Sequence, residues 1–193
     1  AQKGLQFVGA DAQLTSDKKL IADAQAVVLP GVGNFGACMT ALREAGLEDS
    51  VHQAINSGRP FFGICVGMQM LFESSEESPG VAGLGIISGE IKWLPADVQR
   101  PQMQWNRLNI KKQDDLFVGL SENPWMYFVH SLSAVAHDQS VVAATCSYGS
   151  ELLAAIRSRN IFATQFHPEK SATEGLRILE NFVNSCAVVA IAK

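Results

Sequence analysis

The sequence predicts an α/β protein built on an open, mostly parallel, doubly wound sheet that is flanked by helices. Residues 24–29 and 61–64 are short, nearly continuous apolar runs, typical of parallel strands that are covered on both faces. A glycine-rich turn follows each run, and apolar residues then recur at helical spacing. Loose alternation of apolar and polar residues within 86–104 predicts a small antiparallel extension of the sheet.

The individual elements follow from these patterns and from local start and stop signals. Gly9 and Gly58 end helices, and Ser16-Asp17 caps the start of another. The predicted helices span residues 1–8, 18–23, 38–45, 47–57, 66–72 and 173–189. The predicted strands span residues 10–15, 24–29, 61–64, 125–131, 141–147, 152–157 and 161–166. No repeat or linker interrupts them, so residues 1–193 are expected to form a single domain.

The composition limits the classes of function. The chain is 47% hydrophobic and 18% charged, which is ordinary for a globular protein. A formal net charge of −4 gives no reason to expect nucleic acid or an anionic membrane as a partner. The four cysteines include no CxxC pair, and the histidines and cysteines lack the spacing of metal ligands. No signal peptide or spanning segment is visible, so a cytoplasmic protein with reduced thiols is predicted.

The segment 60–72 carries the strongest functional signal. It changes from an apolar run to helical spacing at Cys65, which lies between Gly63 and Gly67. This pattern predicts a strand, a sharp turn and a helix, the geometry of a nucleophile elbow with cysteine in place of serine. At the first turn of a helix, unpaired N–H groups favour a thiolate. A lone cysteine is more often a small buried hydrophobe, so the hypothesis depends on a base elsewhere.

His167, Pro168 and Glu169 directly follow the predicted strand 161–166 and can supply that base. Pro168 stiffens the turn, and a carboxylate two positions after a histidine can orient its ring and stabilise the protonated form. In an open parallel sheet the end of this strand can lie beside Cys65. The two segments together predict a nucleophile, a base and an orienting acid.

Residues 30–36 form a glycine-rich loop after the predicted strand 24–29. The glycine spacing differs from a dinucleotide-binding fingerprint, and the loop lacks the Lys-Ser/Thr pair of a P-loop, so no cofactor is expected. The loop is either a plain strand-to-helix turn or a source of backbone N–H groups for an oxyanion.

Several motifs resemble, in the same order, those of the class I glutamine amidotransferases and among them the glutaminase subunits of imidazole glycerol phosphate synthase. Two carry the chemistry: Gly-Ile-Cys-Val-Gly-Met-Gln at 63–69 and Gln-Phe-His-Pro-Glu-Lys-Ser at 165–171. The others are Pro-Gly-Val-Gly at 30–33, Leu-Phe-Glu-Ser-Ser-Glu-Glu at 71–77, Met-x-Trp-Asn at 103–106 and Tyr-Phe-Val-His-Ser at 127–131. The resemblance covers nearly the whole chain and implies the amidotransferase fold.

The resemblance implies that L-glutamine is hydrolysed to glutamate and ammonia through a thioester on Cys65, with His167 as the base and Glu169 holding it. It implies an oxyanion hole formed by the backbone of Val32, Gly33 and Val66. It also implies a pocket for the substrate, formed by Gly33, Gln69, Glu77 and Ser131. The implied partner is a (β/α)₈-barrel cyclase, which receives the ammonia through a channel and makes imidazole glycerol phosphate in histidine biosynthesis. The residues implied to face it are Met103, Trp105, Asn106 and Lys170.

Two alternatives remain open at this stage. A class I subunit that serves a different ammonia-accepting synthase would keep the triad and lose the match around Trp105. A binding or regulatory domain on the same fold would require a degraded triad, whereas Cys65, His167 and Glu169 are all present.

Three departures from the family pattern stand out. Gln102 and Gln104 replace a histidine and a glycine, and Leu132 stands where an aromatic residue often follows. The family also opens with a strand and a turn, whereas this chain begins inside the following helix. Strand 24–29 is therefore expected to lack a central neighbour. The native polypeptide is expected to be longer by roughly 15 to 20 residues, the length of one strand, a turn and the start of a helix.

Overall fold

The computed structural model describes residues 1–191, and the surroundings of side chains as far as residue 186. Its strands are β1 (Val27–Gly31), β2 (Phe61–Cys65), β3 (Ser74–Ser75), β4 (Gly89–Trp93), β5 (Gln102–Arg107), β6 (Asn109–Ile110), β7 (Trp125–His130), β8 (Leu132–Ala136), β9 (Val142–Tyr148), β10 (Ser150–Ser158) and β11 (Ile161–Thr164). Its α-helices are α1 (Gln2–Phe7), α2 (Lys18–Asp23), α3 (Phe35–Glu44), α4 (Glu48–Asn56), α5 (Val66–Gln69) and α6 (Ala172–Ile191). Short 3₁₀ helices span Asp115–Phe117, Gln139–Val141 and Pro168–Lys170.

The largest sheet has six strands in the order β1-β2-β11-β10-β9-β6. The first three are parallel, and the other pairings are antiparallel. The antiparallel part is larger than the small extension predicted, because the turn at Gly149 joins β9 directly to β10 and so short a connection can only reverse the chain. Within residues 1–191, β1 lies at the edge of this sheet and pairs only with β2.

Two smaller sheets complete the fold. One contains β3, β4 and β8, and the other contains β5 and β7 alone. The cross-strand pairs of β5 and β7 run from Gln102 opposite His130 to Arg107 opposite Trp125. Because side chains alternate across a sheet, one face of this pair packs on the core and the other is partly exposed.

Some predicted elements were wrong or shorter than expected. Residues 10–17 contain no strand, and the Gln2 and Gln6 side chains instead donate hydrogen bonds to the Ala12 carbonyl. Helix α5 ends at Gln69, because the next carbonyls accept hydrogen bonds from the 84–86 loop rather than continuing the helix. Strand β8 was not predicted.

The core lies where the parallel strands meet α6. All residues of β2 and β11 are buried, and Phe62 stacks against Phe162 and Phe182 at centroid distances of 5.2 and 5.1 Å. Full burial of such a side chain contributes about 1.5–3 kcal/mol. This packing fixes both strands and therefore the residues at their ends. Among the described residues, no helix has the length and apolar character needed to cross a membrane.

Candidate active site

Cys65 is the last residue of β2 and lies at the N-terminus of α5. Its φ of 56° and ψ of −115° are unusual for a residue with a side chain. Backbone strain of this kind costs about 1–3 kcal/mol and persists only where the surrounding structure enforces it. The thiol is 5% exposed. The predicted strand, sharp turn and helix are therefore present, although the helix is one turn long.

Three glycines make this turn possible. A Cβ on Gly67 would lie 1.9 Å from the Leu29 carbonyl oxygen, and a Cβ on Gly31 would lie 2.7 Å from the Gly67 nitrogen. Gly63 is similarly enclosed, with Ala163 Cβ at 3.0 Å. The ends of β1 and β2 thus approach each other without side chains between them, and Val32 and Gly33 lie next to Cys65.

His167 and Glu169 come from the turn that follows β11, the neighbour of β2 in the sheet. The imidazole Nδ1 lies 3.0 Å from Glu169 Oε1, and the ring lines the same cavity as Cys65. The backbone fixes this turn, because His167 N donates to the Tyr127 carbonyl and Ser171 Oγ donates to the His167 carbonyl. The structure therefore brings the three predicted catalytic residues together.

The groups around the His167 ring favour a charged imidazole. Burial alone lowers the pKa of His167, but the interactions with Cys65 and Glu169 outweigh burial and raise the pKa to about 9. Burial raises the pKa of Glu169, and the interaction with His167 outweighs it and lowers this pKa below its ordinary value. The ring at neutral pH is thus an imidazolium between a sulfur and a carboxylate, the arrangement that a cysteine nucleophile requires.

A cavity of about 270 Å³ opens in front of Cys65. It is lined by most of the residues predicted for catalysis, the oxyanion hole and the substrate, namely Val32, Gly33, Cys65, Val66, Gln69, Glu77, Ser131 and His167. Glu169 lies behind His167 and does not line it. Within residues 1–186, no group of three or more His, Cys, Asp or Glu side chains is placed to hold a metal ion.

Two lining residues are oriented by further hydrogen bonds. Glu77 Oε2 accepts from the Phe35 N–H at 2.7 Å, which fixes a carboxylate at the start of α3. Gln69 Nε2 donates to Gln165 Oε1 at 2.9 Å and to the Leu132 carbonyl at 3.4 Å. Both hydrogens of this amide are therefore used, which leaves the Gln69 carbonyl oxygen to accept a hydrogen bond from a ligand.

The residues predicted to face a partner lie outside the cavity. Met103 and Trp105 are 63% and 44% exposed on the outer face of the β5–β7 sheet. Lys170 lies over the Tyr127 ring, with Nζ 5.9 Å from its centroid. Asn106 is half-buried, and its amide donates to the Ser147 carbonyl at 2.9 Å. Trp105 is therefore not a core residue.

Three buried polar side chains around the cavity, Gln165, His130 and Gln102, were not among the predicted site residues. Gln165 Nε2 lies 3.8 Å from Cys65 Sγ, and His130 and Gln102 hydrogen-bond each other at the end of the β5–β7 sheet. Gln165 was noted only as part of a motif, and its position two residues before His167 was the available signal. The contact between His130 and Gln102 depends on the register of a sheet that local patterns do not specify.

Comparison with known proteins agrees with this geometry. The family "Glutamine amidotransferase class-I" matches residues 3–186. "Imidazole glycerol phosphate synthase subunit HisH" of Syntrophotalea carbinolica is 46% identical over 188 residues, covering 94% of this chain and 91% of the relative. The protein of the same name from Pyrococcus furiosus is 48% identical over 170 residues, covering 88% of this chain and 86% of the relative.

A solved structure, "Crystal structure of glutamine amidotransferase", matches with a TM-score of 0.75 at 23% identity. The match covers 96% of this chain and 92% of that one, which establishes the likeness of the fold. The relatives and the family match are much closer in sequence and extend over almost all of the chain. The chain belongs to the class I glutamine amidotransferases, in the family of the HisH subunits of imidazole glycerol phosphate synthase.

Proposed function

We propose that this chain hydrolyses L-glutamine to glutamate and ammonia, and supplies the ammonia to a (β/α)₈-barrel cyclase that makes imidazole glycerol phosphate. One observation carries the proposal most directly. Cys65 and His167 come from the ends of two neighbouring parallel strands, meet at one cavity, and have Glu169 behind them. The names of the curated relatives supply the biosynthetic step.

In this mechanism the sulfur of Cys65 attacks the side-chain amide carbon of glutamine. His167 carries the thiol proton and transfers one to the departing nitrogen, so ammonia leaves and a thioester remains. A water molecule, activated by the same imidazole, then cleaves the thioester and releases glutamate. Glu169 keeps the ring in the orientation and charge state that both steps need.

The oxyanion of each tetrahedral intermediate is stabilised by backbone N–H groups. The N–H of Val66, at the start of α5, and one from Val32 or Gly33 are the candidates, because both segments line the cavity beside the sulfur. Loss of one such donor typically costs on the order of 10²–10³ in rate.

The amino-acid part of glutamine is bound by other residues that line the cavity. Glu77 supplies a carboxylate for the α-amino group, and the free amide oxygen of Gln69 accepts a second hydrogen bond. Gly33 and Ser131 also line this cavity.

The cyclase docks on the exposed face of the β5–β7 sheet. Met103 and Trp105 offer large apolar area there, and Lys170 adds a positive charge beside Tyr127. This face begins next to the cavity. Val129 pairs with Met103 across the two strands, and Val129 also lines the cavity. We propose a heterodimer in which the ammonia leaves the cavity under the cover of the partner.

The four free thiols support a cytoplasmic location for this chain. One hydrophobic core contains residues from Leu5 to Phe182, which supports a single domain.

Glutamate release tests the proposal. The purified chain is assayed with and without the cyclase and its ribonucleotide substrate, as wild type and as Cys65→Ala and Cys65→Ser. We expect release that increases with the cyclase and falls to background in both variants. Cys186→Ala is the matched control, because this thiol lies on α6 away from the cavity. Release that survives in Cys65→Ala would refute the mechanism, and activation by another synthase alone would identify a different acceptor.

A further inference from the structure

A pair of buried polar side chains joins the β5–β7 sheet to the cavity. Gln102 is 0% exposed and His130 is 6% exposed. Gln102 Oε1 lies 2.8 Å from His130 Nε2, while Gln102 Nε2 has no hydrogen-bond partner. Burying an amide N–H₂ without a partner costs about 1–3 kcal/mol, so this orientation of the amide needs explanation.

The protonation of His130 decides which end of the amide faces it. The Leu132 carbonyl can only accept, and it lies 2.7 Å from His130 Nδ1, so Nδ1 carries a proton. Burial lowers the pKa of His130 to about 4, so the ring is neutral and Nε2 is an acceptor. Its partner must therefore be the N–H₂ of Gln102. Rotating the Gln102 amide by 180° brings its N–H₂ to His130 Nε2 and gives that donor a partner. The Gln102 oxygen then faces the thiol of Cys146, which this side chain contacts.

The hydrogen bonds continue from His130 to the nucleophile. The Leu132 carbonyl also accepts from Gln69 Nε2 at 3.4 Å, and the same nitrogen donates to Gln165 Oε1 at 2.9 Å. Gln165 Nε2 donates to Cys65 Sγ at 3.8 Å. We call this series, Gln102, His130, the Leu132 carbonyl, Gln69 and Gln165, the buried polar chain.

We propose that Gln102 is a positioning residue for the Cys65 thiol and acts on it through the buried polar chain. Each member restricts the next through a hydrogen bond, and the two halves of the series meet at the Leu132 carbonyl, which accepts from both His130 and Gln69. Gln102 also adjoins Met103 in β5, so the chain begins at the strand proposed to contact the cyclase. The expected effect on kcat rests on the proposed glutaminase function, whereas the expected effect on the reactivity of the Cys65 thiol does not.

The test is the rate at which iodoacetamide alkylates Cys65, measured by peptide mass spectrometry because three other cysteines are present. Gln102→Met keeps the length of the side chain and removes its donor. We expect alkylation at neutral pH, and kcat in the complex with the cyclase, to fall about 3- to 10-fold, with a smaller change in KM. Gln104→Met, an exposed position on the same strand, should match wild type.

A double-mutant cycle separates the buried polar chain from a general loss of packing. Gln165→Met acts at the other end of the series, and its effect on alkylation should be smaller when Gln102→Met is already present. Strictly additive effects, or a Gln102→Met rate equal to that of Gln104→Met, would overturn the inference. Alkylation reports on the thiol even if no glutamine is hydrolysed, so the inference and the proposed function can fail separately.

A measurement on the wild-type protein keeps the inference testable if Gln102→Met does not fold. Nitrogen NMR of the His130 ring should show a neutral imidazole with the proton on Nδ1 throughout the neutral pH range. A proton on Nε2, or a ring that is charged at neutral pH, would contradict the direction of the hydrogen bonds and overturn the inference.

Discussion

The two sides of the cavity are built in opposite ways. On one side, β2 and β11 are buried along their whole length, and the backbone turns that follow them carry Cys65 and His167. On the other side, the β5–β7 sheet is buried on one face and exposes Met103 and Trp105 on the other. The first region has no room for added atoms, whereas the second presents large side chains to solvent.

The difference separates chemistry from recognition. Distances between reacting groups must be held to a fraction of an ångström. Buried strands whose backbones contact each other directly at glycines are rigid enough to hold them. A docking surface instead needs apolar area that a partner can cover. Changes to the first region should therefore abolish activity or folding, and changes to the second should mainly weaken association.

The largest expected effect is on catalysis. Glu169→Gln keeps the shape of the side chain and removes the charge that holds the His167 imidazolium. We expect kcat/KM for glutamine hydrolysis in the complex to fall about 10²–10⁴-fold, and stability at neutral pH to fall as well, because the charged imidazole loses one of its two stabilising partners. Glu122→Gln, on an exposed loop, is the control. Equal activity of the two variants would show that the carboxylate does not support the base.

The packing of the elbow predicts the next largest effect, on folding. Gly67→Ala places a Cβ 1.9 Å from the Leu29 carbonyl oxygen, and backbone on both sides cannot move away cheaply. We expect the free energy of unfolding to fall by at least about 3 kcal/mol, measured by urea denaturation. Gly80→Ala is a matched control with positive φ and open space around it, and it should cost only about 1–2 kcal/mol. A smaller loss in Gly67→Ala than in Gly80→Ala would mean that the two strand ends can separate.

The elbow was the part of the site most open to prediction from the sequence. Glycines two positions before and after Cys65 imply a sharp turn, whatever surrounds it. The strand predicted at 10–15 failed because a local pattern cannot supply the neighbouring strand that a sheet requires. The contact of Gln165 with Cys65 joins residues 100 positions apart, so it depends on the order of strands in the sheet.

The charged imidazole predicts how stability depends on pH. The pKa of His167 is raised to about 9 in the folded protein, from about 6.5 in an unfolded chain. The resulting stability, on the order of 3 kcal/mol, is fully present below pH 6.5 and is lost as the pH rises through 9. Urea denaturation across this range should show the loss in wild type. Cys65→Ala removes one of the two stabilising partners, so its loss should be smaller, and an identical loss would exclude Cys65 as a cause.

The docking face predicts the smallest effect. Trp105→Ala removes an aromatic side chain that packs edge-on against Tyr127, with centroids 6.2 Å apart, at the centre of the exposed β5–β7 face. We expect about 2 kcal/mol weaker binding of the cyclase, close to a 30-fold increase in Kd by titration calorimetry. Trp93→Ala is the control, because Trp93 is equally exposed, at 43%, but belongs to the β3-β4-β8 sheet. Equal losses in both variants would mean that the partner covers more than this face, and a larger loss for Trp93→Ala would place the docking surface on the other sheet.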